Sequence, residues 1–240
     1  MQNLPPLVVV VPAAGIGKRM KSSCPKQYLE INHQTILEHT IARLAAHPLV
    51  FKIIIALGHH DEYFPTTGLF DNEKVSVVIG GKERVDSVLA GLQIIDPTVN
   101  PWVLVHDAAR PCLTLSDLDK LINACLQKNL GGILATPVKD TMKRAKHNLI
   151  DKTVEREYLW HALTPQMFPT KQLKEAIELA LHAQAHITDE ASAIEFINEQ
   201  CQIVEGSSEN IKITHPDDLA YAEFIITKQN NQQLQSLAQE

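Results

Sequence analysis

No stretch of this chain is apolar enough to cross a bilayer. The longest hydrophobic runs, such as Leu7 to Val11 and Lys52 to Leu57, fall far short of the roughly 20 residues that a spanning helix needs. Basic charge is also scarce. The formal net charge is −6 and neither half is strongly basic, so the electrostatic footprint of a nucleic-acid binder is missing. Cys24, Cys112, Cys125 and Cys201 are scattered without C-x-x-C pairing, which argues against a zinc site and a disulfide framework and for a reducing, cytoplasmic compartment. The N-terminus lacks a basic n-region, and its apolar run leads straight into a Pro-Ala-Ala-Gly turn that cleavage would remove. The mature chain is therefore expected to start near Met1. Repeats, low-complexity tracts and an interdomain linker are absent as well. With 240 residues and 45% hydrophobic content, the expectation is one domain over 1–240. The Gln/Asn-rich tail, about 230–240, is expected to fray.

What the sequence does contain is an alternation of strands and helices. Continuous β-branched runs at Leu7–Val11, Lys52–Leu57, Val75–Ile79, Trp102–His106 and Gly132–Thr136 have the pattern of strands buried on both faces, the mark of a parallel sheet. Between them lie amphipathic patterns. Thr35 with Glu38 forms a capping box ahead of Ile36, Leu37, Ile41 and Leu44, and helices are predicted over Arg84–Ile95 and from Ser116. The rhythm breaks at 138–158, a Lys-, Arg-, Asp- and Thr-rich excursion with two short β-like stretches, Thr141–Lys143 and Lys152–Val154. It then resumes with helices near Thr170–Ala185, Asp189–Glu199 and Pro216–Lys228, and strands near Gln202–Val204 and Ile211–Thr214. The fold class is α/β, with right-handed crossovers.

Chemistry enters at the end of the first strand, where open α/β sheets bind ligands. Pro12-Ala13-Ala14-Gly15-Ile16-Gly17-Lys18-Arg19-Met20 has the make-up of a phosphate-cradling loop. Gly15 and Gly17 allow close backbone approach, and Lys18, Arg19 and Lys26 bring positive charge. A Gly-rich strand-to-helix turn can also be a tight connection and nothing more. Spacing excludes two familiar motifs. A Walker loop requires Gly and Ser/Thr where this chain has Pro12 and Arg19, and a dinucleotide fingerprint requires a third Gly where it has Met20. Further on, Asp107 follows a buried strand, where a carboxylate either holds magnesium together with substrate phosphate oxygens or caps the next turn.

The segment 12–27, ending in Cys24-Pro25-Lys26-Gln27, resembles the nucleotide-binding signature of sugar-phosphate nucleotidyltransferases. More narrowly it is similar to the cytidylyltransferases that act on 2-C-methyl-D-erythritol 4-phosphate in the non-mevalonate isoprenoid pathway. Gly80 to Val88, His106 to Pro111, Thr153 to Arg156, Ala162 to Gln166, Thr188 to Ala191 and Asn210 to Thr214 match the same family in order, so the likeness covers nearly the whole chain. It implies a Rossmann-like, mostly parallel sheet flanked by helices. It also implies a projecting β-arm, about 138–158, through which two copies form a homodimer.

The resemblance carries the following expectations. Arg19, Lys26 and Lys212 are catalytic. Pro12, Ala13, Ala14, Gly15, Gly17, Gly81, Arg84, Ser87 and Ala108 bind CTP, largely through main-chain groups. Asp107, Arg110, Thr141, Arg156, Thr164 and Thr188 bind a small polyol phosphate, with Thr141 and Arg156 coming from the partner's arm. Asp107 also holds Mg2+, for which another divalent cation can substitute. The reaction implied is CMP transfer to the polyol phosphate; a ribitol 5-phosphate cytidylyltransferase or a non-catalytic nucleotide-binding module are the other readings. Lys82 departs from the family, which often carries Asp there. Lys139, Lys143, Arg144 and Lys146 read as a solvated basic face. His182 with His186, four apart, reads as a surface pair, and His59-His60 has no accompanying ligand motif.

Overall fold

Strand β1, Leu7–Pro12, is buried almost throughout and its side chains divide by parity. Leu7, Val9 and Val11 join one apolar cluster and Val8 and Val10 another, because successive residues of a strand face opposite sides of the sheet. The structure, a computed structural model, describes residues 4–15, 20 and 24–237, with side chains to 235. After β1 come a two-stranded ribbon, β2 (Glu30–Ile31) and β3 (Gln34–Thr35), helix α1 (Ile36–Ala45), β4 (Val50–Leu57), β5 (Val75–Ile79) and α2 (Arg84–Gln93). Then follow β6 (Trp102–Val105), α3 (Leu115–Lys128), β7 (Gly132–Pro137), β8 (Met142–Lys146), β9 (Leu149–Val154) and β10 (Trp160–Pro169). The chain closes with α4 (Thr170–His182), α5 (Glu190–Phe196), β11 (Gln202–Glu205) and α6 (Pro216–Leu237).

The main sheet has the order β11-β7-β10-β6-β1-β4-β5. Every pairing in it is parallel except those of β10, which runs antiparallel to both β6 and β7. Helices cover both faces. Leu37, Ile41 and Leu44 of α1 and Leu118, Leu121 and Ile122 of α3 pack on the odd face of β1. Val88 and Leu92 of α2, Ile177 of α4 and Ile194 of α5 pack on the even face. Helix α6 closes a third cluster through Ala222, Ile225 and Ile226 against Ile36 and Ile213. The expected capping box starts α1, with Glu38 N donating to Thr35 Oγ1 at 3.1 Å and Thr35 N to Glu38 Oε2 at 2.7 Å. None of the described helices is long and apolar enough to cross a membrane.

Three elements differ from the sequence reading. Strand β10 was not expected, because Pro165 lies inside it and proline donates no ladder hydrogen bond. It is accommodated by a register shift between Ala162 and Gln166 against β7. The segment 211–214 is not a strand; it crosses the carboxyl end of the sheet, and Ile213 N donates to Ala109 O at 2.9 Å. Residues 230–237, expected to fray, continue α6. The excursion at 138–158 does form a hairpin, β8 paired with β9. His147 and Asn148 at its tip both have positive φ, 50° and 64°, the backbone of the two-residue turns that suit strand twist.

The chain leaves β1 towards β4 and β5 on one side and returns to β6 on the other. This reversal opens a crevice beyond the carboxyl ends of β1 and β6. Gly91 lets α2 lie close to that point, since a Cβ there would stand 2.5 Å from Val10 Cγ1. Alanine normally gains about 0.8–1 kcal/mol over glycine in a helix, but overpacking a tight core costs about 1–3 kcal/mol. The clash is expected to win, so Gly91→Ala should lower stability in equilibrium urea unfolding. An unchanged or raised midpoint would mean that α2 is not pressed against β1.

Candidate active site

Two of the clefts at this crevice meet at Asp107. The first, about 180 Å³, is lined by Pro12, Ala13, Ala14 and Gly15 after β1, by Gly81 to Arg84 and Ser87 around the start of α2, by Asp107 and Ala108 after β6, and by Lys26 and Lys212. The second, about 220 Å³, is lined by Arg110, Ala162 to Thr164, Gln166, Thr188 and Asp189. Arg84, Asp107 and Lys212 belong to both, so the clefts share one wall.

That wall is an ion cluster around a buried carboxylate. Arg84 Nε donates to Asp107 Oδ1 at 2.9 Å, while Lys212 Nζ and Arg110 Nε lie 2.9 and 3.3 Å from Oδ2. Arg84 also donates from Nη1 and Nη2 to the two oxygens of Glu190, at 2.6 and 3.1 Å. Among the described residues, three cations thus face two carboxylates, with one positive charge left over. Burial alone would raise the Asp107 carboxyl, but Arg84, Lys212 and Arg110 outweigh it and hold the group well below the usual carboxylate range. Lys26 anchors beside them, its Nζ donating to Ile213 O at 2.7 Å. Arg84, which a position at a helix start would leave exposed, is instead half-buried between Asp107 and Glu190.

A neutral chain of hydrogen bonds fixes the Asp107 backbone. The Arg110 carbonyl lies 3.2 Å from His106 Nε2, and a carbonyl only accepts, so this nitrogen carries the proton. His106 Nδ1 then accepts from the Thr164 hydroxyl at 3.0 Å, and Thr164 Oγ1 in turn accepts from Asp107 N at 3.0 Å. Asn210 ties the same corner together: its Nδ2 donates to Thr164 O at 2.7 Å and its carbonyl accepts from Arg110 Nη1 at 2.6 Å. Thr164 lies within the register shift of β10. In the first cleft, Gly81 N donates to Ser87 Oγ at 3.1 Å. A Cβ on the neighbouring Gly80 would stand 2.7 Å from that oxygen and 2.8 Å from Ala14 Cβ.

The structure therefore brings together Pro12, Ala13, Ala14, Gly15, Lys26, Gly81, Arg84, Ser87, Asp107, Ala108 and Lys212 around one cleft, and Arg110, Thr164 and Thr188 around the other. Gly17 and Arg19 lie outside the described residues. Thr141 and Arg156 are exposed, flank the β8–β9 hairpin and line neither cleft; Arg156 donates to Lys139 O of its own chain. Lys139, Lys143, Arg144 and Lys146 are exposed. Sequence reasoning missed Glu190, Gln166 and Asn210. All three sit inside segments it singled out, but an acid at a helix start reads as a partner for the helix dipole, and amides carry no charge signal. Among the described residues, no group of three His, Cys, Asp or Glu side chains is placed to hold a metal on its own.

An open, doubly covered α/β sheet with a cationic wall between two clefts at its switch point defines a nucleotide-handling enzyme fold of the transferase kind. Residues 7–228 match the family model described as IspD: 2-C-methyl-D-erythritol 4-phosphate cytidylyltransferase, and the chain belongs to that family. A Colwellia psychrerythraea protein named 2-C-methyl-D-erythritol 4-phosphate cytidylyltransferase is 57% identical over 233 residues, 93% of this chain and 96% of that protein. One of the same name from Vibrio parahaemolyticus is 53% identical, over 95% of this chain and 98% of the relative. The crystal structure of the Francisella tularensis enzyme of that name superposes with a TM-score of 0.79 at 37% identity, covering 91% of this chain and 99% of the other.

Burial of His106 pushes its imidazole down to about 4, against about 6.5 for a free histidine. The folded chain thus binds this proton less readily than the unfolded one. The stability it contributes is complete above about pH 6.5 and is lost as pH falls towards 4. Nitrogen-15 NMR should find His106 as the neutral Nε2–H tautomer, unprotonated at pH 5.5. A resonance titrating near 6.5 would contradict the hydrogen-bond chain.

Proposed function

We propose that this chain transfers CMP from CTP to 2-C-methyl-D-erythritol 4-phosphate, giving 4-diphosphocytidyl-2-C-methyl-D-erythritol and pyrophosphate for isoprenoid precursor synthesis. The observation that carries this reading is the sharing of Arg84, Asp107 and Lys212 by two clefts, one suited to a nucleotide and the other to a polyol phosphate. An oxygen of the polyol phosphate attacks the α-phosphorus of CTP in line. The new P–O bond forms as the bond from that phosphorus to the bridging oxygen breaks, and pyrophosphate leaves with the electron pair. The attacking phosphate is already an anion near neutral pH, so no general base is required. His106, buried and bonded at both nitrogens, is left to a structural role.

Repulsion between two polyanions is the main obstacle. At an effective dielectric near 20, each unit-charge pair at 4 Å is worth roughly 4 kcal/mol. Lys26 and Lys212, with Arg19, offset the charge that grows on the α-phosphate and the leaving group. Main-chain groups at 12–15 and Gly81, with Ser87, read the cytosine, and Ala108 and Arg84 border the nucleotide. Arg110, Thr164 and Thr188 face the polyol phosphate, with Asp107 at the junction. The Thr164 hydroxyl is partly committed to His106 and Asp107 N, so its share in substrate binding is one remaining lone pair.

Asp107 fits a divalent cation in one circumstance. With three cations on its two oxygens, it is a poor site for a resident ion. Asp107 would instead hold Mg2+, or a substitute, arriving with the triphosphate, since such an ion takes one or two carboxylates together with substrate phosphates. The ion would supply charge neutralisation at the triphosphate.

The active unit in this reading is a homodimer. Leu149, Ile150 and Tyr158 of the arm are 75, 67 and 85% exposed in the single chain, and a two-stranded hairpin gains little stability without another surface. Thr141 and Arg156 then serve the neighbouring copy. Cys112, Cys125 and Cys201 are unbridged thiols, which supports a cytoplasmic setting.

Purified protein with CTP should release pyrophosphate on addition of methylerythritol phosphate, much faster than with ribitol 5-phosphate, and ATP or GTP should replace CTP poorly. Faster turnover of the ribitol compound would reassign the substrate, and no release with either would remove the enzymatic reading. Arg156→Ala and Asp107→Ala proteins, each inactive, should recover part of the activity when mixed, because a mixed dimer has one site with both residues intact. No recovery despite demonstrated subunit exchange would rule out the shared site.

A further inference from the structure

A buried negative charge beside a site for two polyanions needs a reason. Glu190 is 2% exposed and is the first residue of α5. An acid that only eased the helix dipole would not need two oxygens on one guanidinium at 2.6 and 3.1 Å. With Nε on Asp107 as well, all three Arg84 nitrogens are engaged, so the plane of the group is fixed at both ends. An Arg at the start of a helix otherwise samples many rotamers.

We propose that Glu190 is a positioning residue for cytidylyl transfer: it clamps Arg84, and through Arg84 it sets the Asp107 carboxylate so that Oδ2 meets Lys212 and Arg110. The proposal rests on the reaction assigned above. Glu190 is itself held from the sheet. Gln166 on β10, 1% exposed, accepts from Ala191 N at 2.9 Å and donates to Asp189 Oδ2 at 2.8 Å, which pins the turn entering α5. A line of contacts therefore runs from β10 through α5 and α2 to the end of β6. Charge follows the same division. Glu190 balances Arg84, so Asp107 is shared by Arg110 and Lys212 and their surplus charge, with that of Lys26, is left to face phosphate, while Arg84 orients the carboxylate that borders both clefts. Burial pushes the Glu190 carboxyl above the usual carboxylate range and Arg84 opposes that shift, so the two-oxygen contact with the guanidinium is what ties the group to this place.

The test is a double-mutant cycle of Glu190→Gln and Arg84→Ala on the intact protein, with kcat and both KM values measured for CTP and methylerythritol phosphate. Glu190→Gln keeps the volume and one hydrogen bond but removes the charge. It should lower kcat about 10- to 100-fold, as loss of an outer-shell partner commonly does, with KM for CTP nearly unchanged. Added to Arg84→Ala, it should cause no further loss, because its effect passes through Arg84. Glu195→Gln, on the exposed side of the same helix, should match wild type. Wild-type kcat in Glu190→Gln, or losses that multiply in the double variant, would overturn the proposal. If Glu190→Gln does not fold, Glu190→Asp carries the same comparison, since it keeps the charge but falls one methylene short. An inactive wild type would count against the assigned reaction, whereas an active wild type with an indifferent Glu190 would count against this proposal alone.

Discussion

Three cations converge on one carboxylate at the mouth of the sheet, and the rest of the site depends on that convergence. Asp107 could not remain ionised in its buried position without Arg84, Arg110 and Lys212, and these cations could not stand so close together without Asp107. A site held this way has its cations gathered at one point before substrate arrives. Removing one member of such a buried set leaves the others uncompensated, which is more costly than losing a surface pair.

The participants come from three parts of the fold. Asp107 and Arg110 lie in the turn after β6, Arg84 begins α2, and Lys212 comes from the segment that crosses the carboxyl end of the sheet. The neutral chain from Arg110 O through His106 and Thr164 to Asp107 N holds the backbone of that turn while the ion pairs hold its side chains. Such division suits a site where charges must shift when substrate binds but the main chain must not.

Much of this was legible in the residues. Buried parallel strands announce themselves as continuous β-branched runs, and those of β1, β4, β5, β6 and β7 appeared at their positions to within two residues at either end. The capping box at Thr35 was readable because its chemistry is local. Strand β10 was not, because Pro165 argues against a strand unless a register shift is known to free that position, and a shift depends on partners far away in sequence. The segment around Lys212 looked like a strand because Ile211 and Ile213 alternate with polar residues. Whether an extended segment joins a sheet or crosses over its end is decided by packing against Ala109 and α6. For the site, the motifs located the charged and glycine positions, while the grip of Glu190 on Arg84 joins residues 106 positions apart and leaves no periodic trace.

The placement of β10 also bears on how the molecule is made. In the main sheet, β7 and β11 connect to β6 and β1 only through β10, although β7 precedes it in the chain. A ribosome releasing this chain exposes β1, β4, β5 and β6, a complete parallel half-sheet with Arg84, Asp107 and Arg110, well before residue 160. Strand β7 then waits without a neighbour until β10 arrives to lie between it and β6. Most of the nucleotide side of the crevice is thus available for assembly early, whereas Thr164 comes with the strand that fills the last gap in the sheet, and Thr188, Glu190 and Lys212 follow it. Emergence of this chain separates the pocket from its power to react, and the strand that closes the sheet also brings the first of the residues that complete the chemistry.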